Sequence, residues 1–225
     1  MSTIVAALIA AAVGVPAGIF THVINQRFIA LEEDATEPPL PAERYWAPVL
    51  DAVLPGWLFY LHGVSAYSVV AAVVIVVLVQ VVVFDARHRL ILNRVMYPAI
   101  LVALLVSPIS PILVGTWQSR ILAAVGGALV AGGLFFLLSI ITRGGVGMGD
   151  AKLSFFMGAV LGGLPLPVPP ISEALIWGMI GGGVIAGLLL LTRIRKMTDF
   201  IPYGPFLCGG GILELIVRGF PVPVT

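Results

Sequence analysis

Charge is what this chain has least of. Only 10% of its 225 residues are Asp, Glu, Lys or Arg, whereas 60% are hydrophobic and the mean hydropathy is +1.11. No ordinary soluble domain has that balance, so the sequence describes a polytopic membrane protein. A net charge of +1 offers no global attraction for nucleic acid, and no nucleic-acid partner is expected. The single cysteine, Cys208, excludes an intrachain disulfide and a cysteine-based zinc cluster. His22 and His62 have no second ligand at metal spacing, so no metal site is expected.

Apolar runs are abundant, and a spanning helix needs about 20 such residues. They predict about eight transmembrane helices, near 3–25, 46–62, 64–84, 95–110, 120–141, 151–166, 172–192 and 201–217. The fold class is therefore all-α, an integral membrane helical bundle. Two spans are marginal: 46–62 carries Asp51 and Pro55, and 151–166 is short and glycine-rich. An interfacial or re-entrant reading stays open for either. The Val-rich run 69–83 is β-branched but should still be helical, because lipid demands an internally bonded backbone. Its Gln80 is expected to face other helices.

Charge placement checks the count. With the N-terminus outside, ten of the twelve basic residues fall on the cytoplasmic side, and only Arg120 and Arg218 fall outside. Dropping one marginal span would break that asymmetry. The first run has no basic residue before it and Arg27 after it, the reverse of a secretory signal, and reads as a retained span. Residues 28–44 are acidic and proline-bearing, a short cytoplasmic linker within a single domain over 1–225.

Two acids stand at the edges of these runs. Asp85 lies in VVVFDARHRLILN (residues 81–93), and Asp150 in GGVGMGDAKL (residues 144–153). Carboxylates are costly in a bilayer, so two at its edge suggest chemistry. The topology puts both on the cytoplasmic side, where they can meet. Two neighbouring carboxylates cannot easily both ionise, and one ionised plus one protonated group is what hydrolysis by a pair of aspartates requires. Which of the two is the base stays open, since such a pair titrates as a unit. Gly144, Gly145, Gly147 and Gly149 permit positive φ and close approach of another backbone, such as an extended substrate. The plainer alternative is a flexible turn with a solvated Asp150 capping the next helix.

The combination of GMGDAKL (147–153), FDARHRLILN (84–93), IPYGPFL (201–207) and GIFTHVINQR (18–27) resembles the type IV prepilin peptidase family. That resemblance implies a membrane-embedded aspartic endopeptidase with a G-x-G-D motif. It would remove the basic leader of type IV prepilins or pseudopilins at the cytoplasmic face of the bacterial inner membrane. Asp85 and Asp150 match the catalytic positions, and Gly147 and Gly149 the active-site loop. The implied partners are the prepilin substrate and the lipid bilayer, with no signal for oligomeric state. Leu92 stands where the family has proline, and His22 where its first signature has asparagine. Larger members carry a domain with two C-x-x-C pairs and methylate the new N-terminus with S-adenosylmethionine. Residues 28–44 hold no cysteine, which excludes such a zinc site there and leaves methyl transfer open. Peptide hydrolysis itself needs no cofactor.

Arg87 and His88 could tune Asp85 or hold an acidic substrate group, or only anchor the span. Lys152 could act on Asp150 or snorkel. Asn93 could bond near Asp85 or cap the following span. Asp51 and Glu214 read as structural or exposed near a helix end. The paired glycines 126–127, 132–133 and 181–183 read as helix-packing sites. Two other classes remain: a proton-coupled transporter using Asp85 and Asp150 as a relay, and a presenilin-like intramembrane protease. The latter group's P-A-L motif is absent, and IPYGPF stands in the corresponding region.

Overall fold

The computed structural model describes residues 3–29, 43–88, 90–142, 146–163, 170–192 and 203–218. These form α1 (Thr3–Ile29), α2 (Glu43–His62), α3 (Ala66–His88), α4 (Asn93–Val106), α5 (Trp117–Ile141), α6 (Met148–Leu161), α7 (Pro170–Leu191) and α8 (Gly204–Arg218). A 3-10 turn (Ser107–Ile109) continues α4. No strand occurs among the described residues. The all-α expectation holds, and each expected span has its helix. Thr3–Ile24, Ala66–Ala86 and Trp117–Ile141 are long and apolar enough to cross a membrane, and Asn93–Ile109 and Pro170–Ile185 are shorter apolar stretches.

The ends differ from expectation for local reasons. α3 runs through Asp85 to His88, because nothing in Phe84–His88 breaks a helix and its Ala and Arg favour one. α6 starts at Met148, where the Asp150 carboxylate accepts the Gly147 N–H at 3.2 Å and closes the first turn. It stops at Leu161, because Gly162 takes a φ of +76° that few other residues adopt. At about 1.5 Å per residue, its 14 residues cover about 21 Å, short of a full crossing. The expected linker 28–44 is shorter at both ends, since α1 reaches Ile29 and α2 begins at Glu43. Its middle, residues 30–42, lies outside the described residues.

In lipid, burying apolar area between helices gains little, so association relies on close van der Waals packing at small residues. Three helix pairs show this. Between α5 and α6, a Cβ on Gly158 would stand 2.7 Å from the Ala128 N, and one on Gly127 2.7 Å from the Gly163 N. Between α7 and α8, a Cβ on Gly178 would come 2.8 Å from the Phe206 carbonyl oxygen. Between α1 and α2, a Cβ on Gly18 would come 2.8 Å from Pro48 Cα. Of the glycine clusters expected to pack, Gly127, Gly132 and Gly182 do so, against α6, Phe155 and Phe206. Gly133, Gly181 and Gly183 face open space.

α3 runs between α2 and α8, and it meets α6 and α8 in one layer. A Cβ on Gly211 would lie 2.8 Å from Met157 Cε and 3.3 Å from Leu78 Cδ1. The buried acids away from this layer are paired. Asp51 is fully buried, not near an exposed end, and accepts the Gln80 Nε2 amide at 2.8 Å, so Gln80 does face another helix. Glu214 is buried and ion-paired to Arg218 at 3.0 Å, with Arg218 also reaching Glu173 at 2.5 Å.

Gly158→Leu should push α6 off α5 and cost about 1–3 kcal/mol or prevent folding, read as a lower melting temperature in detergent. Gly133→Leu, pointing into open space, should leave melting unchanged or slightly raised.

Candidate active site

Heptad arithmetic brings the two acids together. Seven residues are nearly two full helical turns, so positions seven apart share a face about 10.5 Å along the axis. Asp85 lies seven residues beyond Leu78 on α3, Asp150 seven before Met157 on α6, and Gly204 seven before Gly211 on α8. All three positions therefore stand two turns from the shared layer, with Asp85 and Asp150 lining one cavity of about 240 Å³ and Gly204 set against Asp85. Asp85, Ile91, Asn93, Asp150, Lys152 and Tyr203 are among its lining residues.

Both carboxylates are buried, Asp85 at 5% and Asp150 at 6% exposure. Asp150 is thus not the solvated cap of a flexible turn, although it does cap its helix through the Gly147 N–H. Asp85 Oδ2 lies closest to the backbone of Gly204 and makes no hydrogen bond of good geometry. Tyr203, just ahead of α8, has its phenol pushed above the usual range, first by burial and then by the Asp150 charge.

The glycines serve space, not unusual backbone. Gly147 is extended at φ −68° and ψ 143°, and Gly149 lies inside α6. A Cβ on Gly149 would stand 3.0 Å from Ile91 Cβ and 3.2 Å from Ile91 Cδ1. A Cβ on Gly204 would collide with Asp85 Oδ2 and stand 3.3 Å from Ile91 Cδ1. Positive φ, the other expectation for this segment, is not what these two positions need. Gly144 and Gly145 lie outside the described residues.

The basic and polar candidates divide. Lys152 points away from Asp150 to the cavity rim, where its Nζ donates to Asn93 Oδ1 at 2.5 Å and sits 5.2 Å from the Tyr97 ring centroid. Asn93 is the first residue of α4 and its cap is Leu92, so Asn93 serves Lys152 and neither Asp85 nor a helix end. His88 stacks on Phe84 at 5.9 Å, which places it on a ring and not in the cavity. Arg87 belongs to α3, but its side chain lies outside the described residues. His22, buried on α1, has its ring centroid 6.3 Å from that of Phe84. No cluster of three or more metal-ligating side chains occurs among the described residues.

Ile91, Tyr203 and Gly204 were not singled out as site residues from the sequence. Each lies within a quoted string, 84–93 or 201–207, but their spacing carries no chemistry. Only the packing of α8 and the α3–α4 turn onto the pair reveals their place.

A buried pair of acids on two helices, walled by glycine, defines a membrane-embedded carboxylate-pair site in a helical bundle. The sequence profile of the Type IV leader peptidase family matches residues 72–191, more than half of the chain and including both acids. The chain belongs to that family. It is 30% identical over 157 residues to a prepilin leader peptidase/N-methyltransferase from Bacillus subtilis, covering 68% of this chain and 58% of the relative. A protein of the same name from Pseudomonas aeruginosa is 25% identical over 73% of this chain and 55% of its own length. One from Aeromonas hydrophila is 32% identical over 43% of this chain and 32% of the relative. The matches thus span between a third and three-fifths of these relatives. No solved structure matches.

Gly204→Ala should displace the Asp85 carboxylate. A misplacement of about 1 Å costs about a hundredfold in a positioned reaction, so any activity that needs Asp85 should fall by that order. Helical content by circular dichroism should stay unchanged.

Proposed function

We propose that this protein is an aspartic endopeptidase of the bacterial inner membrane. It removes the basic leader from type IV prepilins or pseudopilins at the cytoplasmic face. The observation that carries this reading is the convergence of Asp85 and Asp150 on one cavity, with Gly149 in its lining and Gly204 packed against Asp85. Family membership supports the substrate class, and the excess of basic residues assigned to one side supports the orientation.

In this mechanism a water lies between the two carboxyl groups. The ionised one takes a proton from the water as its oxygen attacks the scissile carbonyl carbon, and the protonated one donates to the carbonyl oxygen. Collapse of the tetrahedral intermediate breaks the C–N bond. The proton taken from water passes to the leaving amine, a hydroxyl of the intermediate returns its proton to the other carboxylate as the carbonyl re-forms, and the pair is back in its one-proton state. Close approach in a buried site favours that state, because two adjacent negative charges without solvent are costly. The cavity rim at Lys152 and Asn93 lies where substrate backbone would pass, and Lys152 there bonds Asn93 in place of Asp150. The substrate's apolar helix would enter from the lipid side while its leader's positive charge stays at the cytoplasmic surface.

The relatives' names also include N-methylation. The apolar groove between α1, α2 and α3 does not fit S-adenosylmethionine. Its volume is about 340 Å³, and it is lined by groups such as Ile9, Val13, Phe59, Val69, Val73 and Val76, with no polar side chain to hold a ribose or an amino-acid group.

The test is cleavage of a tagged prepilin from the same genome by membranes carrying the wild type, Asp85→Asn or Asp150→Asn, with the product N-terminus read by mass spectrometry. Each variant should lose about a hundredfold to ten-thousandfold in rate. Unchanged cleavage by either would sink the two-aspartate mechanism. The wild-type rate should be bell-shaped in pH, falling on the acid side as the base is protonated and on the alkaline side as the acid loses its proton.

A further inference from the structure

We propose that Ile91, in the turn between α3 and α4, is a wedge that positions the two aspartates by packing at once on the glycine before Asp150 and the glycine behind Asp85. The inference rests on the two-aspartate reading for its consequence, though not for its packing.

Ile91 is 8% exposed and lines the cavity that holds both carboxylates. The space a Cβ on Gly149 would need is taken by Ile91 Cβ at 3.0 Å and by its Cγ1 and Cδ1 at 3.2 Å. The same Cδ1 is 3.3 Å from the Cβ position on Gly204. One side chain thus sets the height at which α6 begins, and with it Asp150. It also sets how closely α8 approaches α3 at Asp85.

The three helices also meet two turns away, at Leu78, Met157 and Gly211, and α8 is held at its far end by Tyr67 and His62. Ile91 adds a contact at the site itself, where those points do not reach. The Lys152–Asn93 hydrogen bond ties the start of α4 to α6 one residue beyond Leu92, holding the turn that carries Ile91. The second glycine of the G-x-G-D string is then required by a residue of the other aspartate's string, because interior packing has no slack for an added methyl group.

The decisive experiment is a mutant cycle of Gly149→Ala and Ile91→Ala, read first by melting in detergent, which needs no substrate. Ile91→Ala alone should lower the melting temperature by leaving a cavity. In the Gly149→Ala background the same change should raise it, by making room for the new methyl group. Equal lowering in both backgrounds overturns the inference whatever the protein cleaves.

The second readout is the pH profile of leader cleavage by Ile91→Ala and Ile91→Val. The neighbouring titratable groups Lys152, Tyr203 and Cys208 are left intact. If Ile91 holds the pair close, truncation to Ala weakens their mutual repulsion, so the two limbs of the bell move together, while Val keeps the wild-type width. A lower bell of unchanged width for Ile91→Ala would mark an ordinary packing residue and overturn the positioning role. A sign reversal in melting without any aspartate-dependent cleavage would overturn the proposed function and leave the wedge standing.

Discussion

Close approach of helix backbones at glycine is the constraint on which this structure depends. In water a helix bundle can be held loosely by apolar area alone, but against lipid tails that term nearly vanishes between helices. Contact must be tight to be worth making, and the tight contacts here lie at Gly127–Gly158, Gly178–Phe206, Gly18–Pro48 and Gly211–Met157. The last of these matters most for function. It fixes α3, α6 and α8 in one layer, and helical periodicity then carries that alignment two turns on to Asp85, Asp150 and Gly204.

The buried acids divide by what they face. Asp51 has the Gln80 amide, and Glu214 has the Arg218 guanidinium. Each is an internal tie between or along helices, and removal of its partner would leave an expensive group behind. Asp85 Oδ2 lies against glycine backbone and, like Asp51 Oδ1, has no well-formed hydrogen bond. Asp150 accepts one backbone N–H, while Lys152 is drawn to the rim by Asn93 and Tyr97. Place, not satisfaction, sets these two apart: Asp85 and Asp150 line one cavity, whereas Asp51 and Glu214 do not.

Much of this was legible in the sequence. Eight apolar runs match eight α-helices among the described residues, and the position of Asp85 and Asp150 beside short polar strings singled out the two acids that line one cavity. Boundaries were less legible where a side chain decided them. α6 began three residues early because Asp150 caps it, and α3 continued past the apolar run because Ala86 to His88 favour a helix. Asp51 looked like a poor fit for a span, since its partner Gln80 stands 29 residues away and only packing joins them. Gly149 was read for positive φ or close approach of another backbone, whereas it leaves room for the Ile91 side chain, and Gly204, which leaves room for Asp85, was not singled out. Steric need of that kind leaves no periodic trace in a single chain.

The family match ends at residue 191, yet the site does not. Tyr203 and Gly204, on and just before α8, lie beyond it and close the cavity behind Asp85. Residues 72–191 carry both acids but not the wall against which one of them rests. α8 is in turn tied down at its far end: the Tyr67 hydroxyl donates to the Leu215 carbonyl at 2.7 Å, and His62 Nε2 lies 2.7 Å from the Ile216 carbonyl oxygen. These contacts come from α2 and the start of α3, so the helices flanking the matched segment are joined to each other across it. The unit that builds the carboxylate pair therefore extends from α2 to α8, with the matched helices α3 to α7 as its interior.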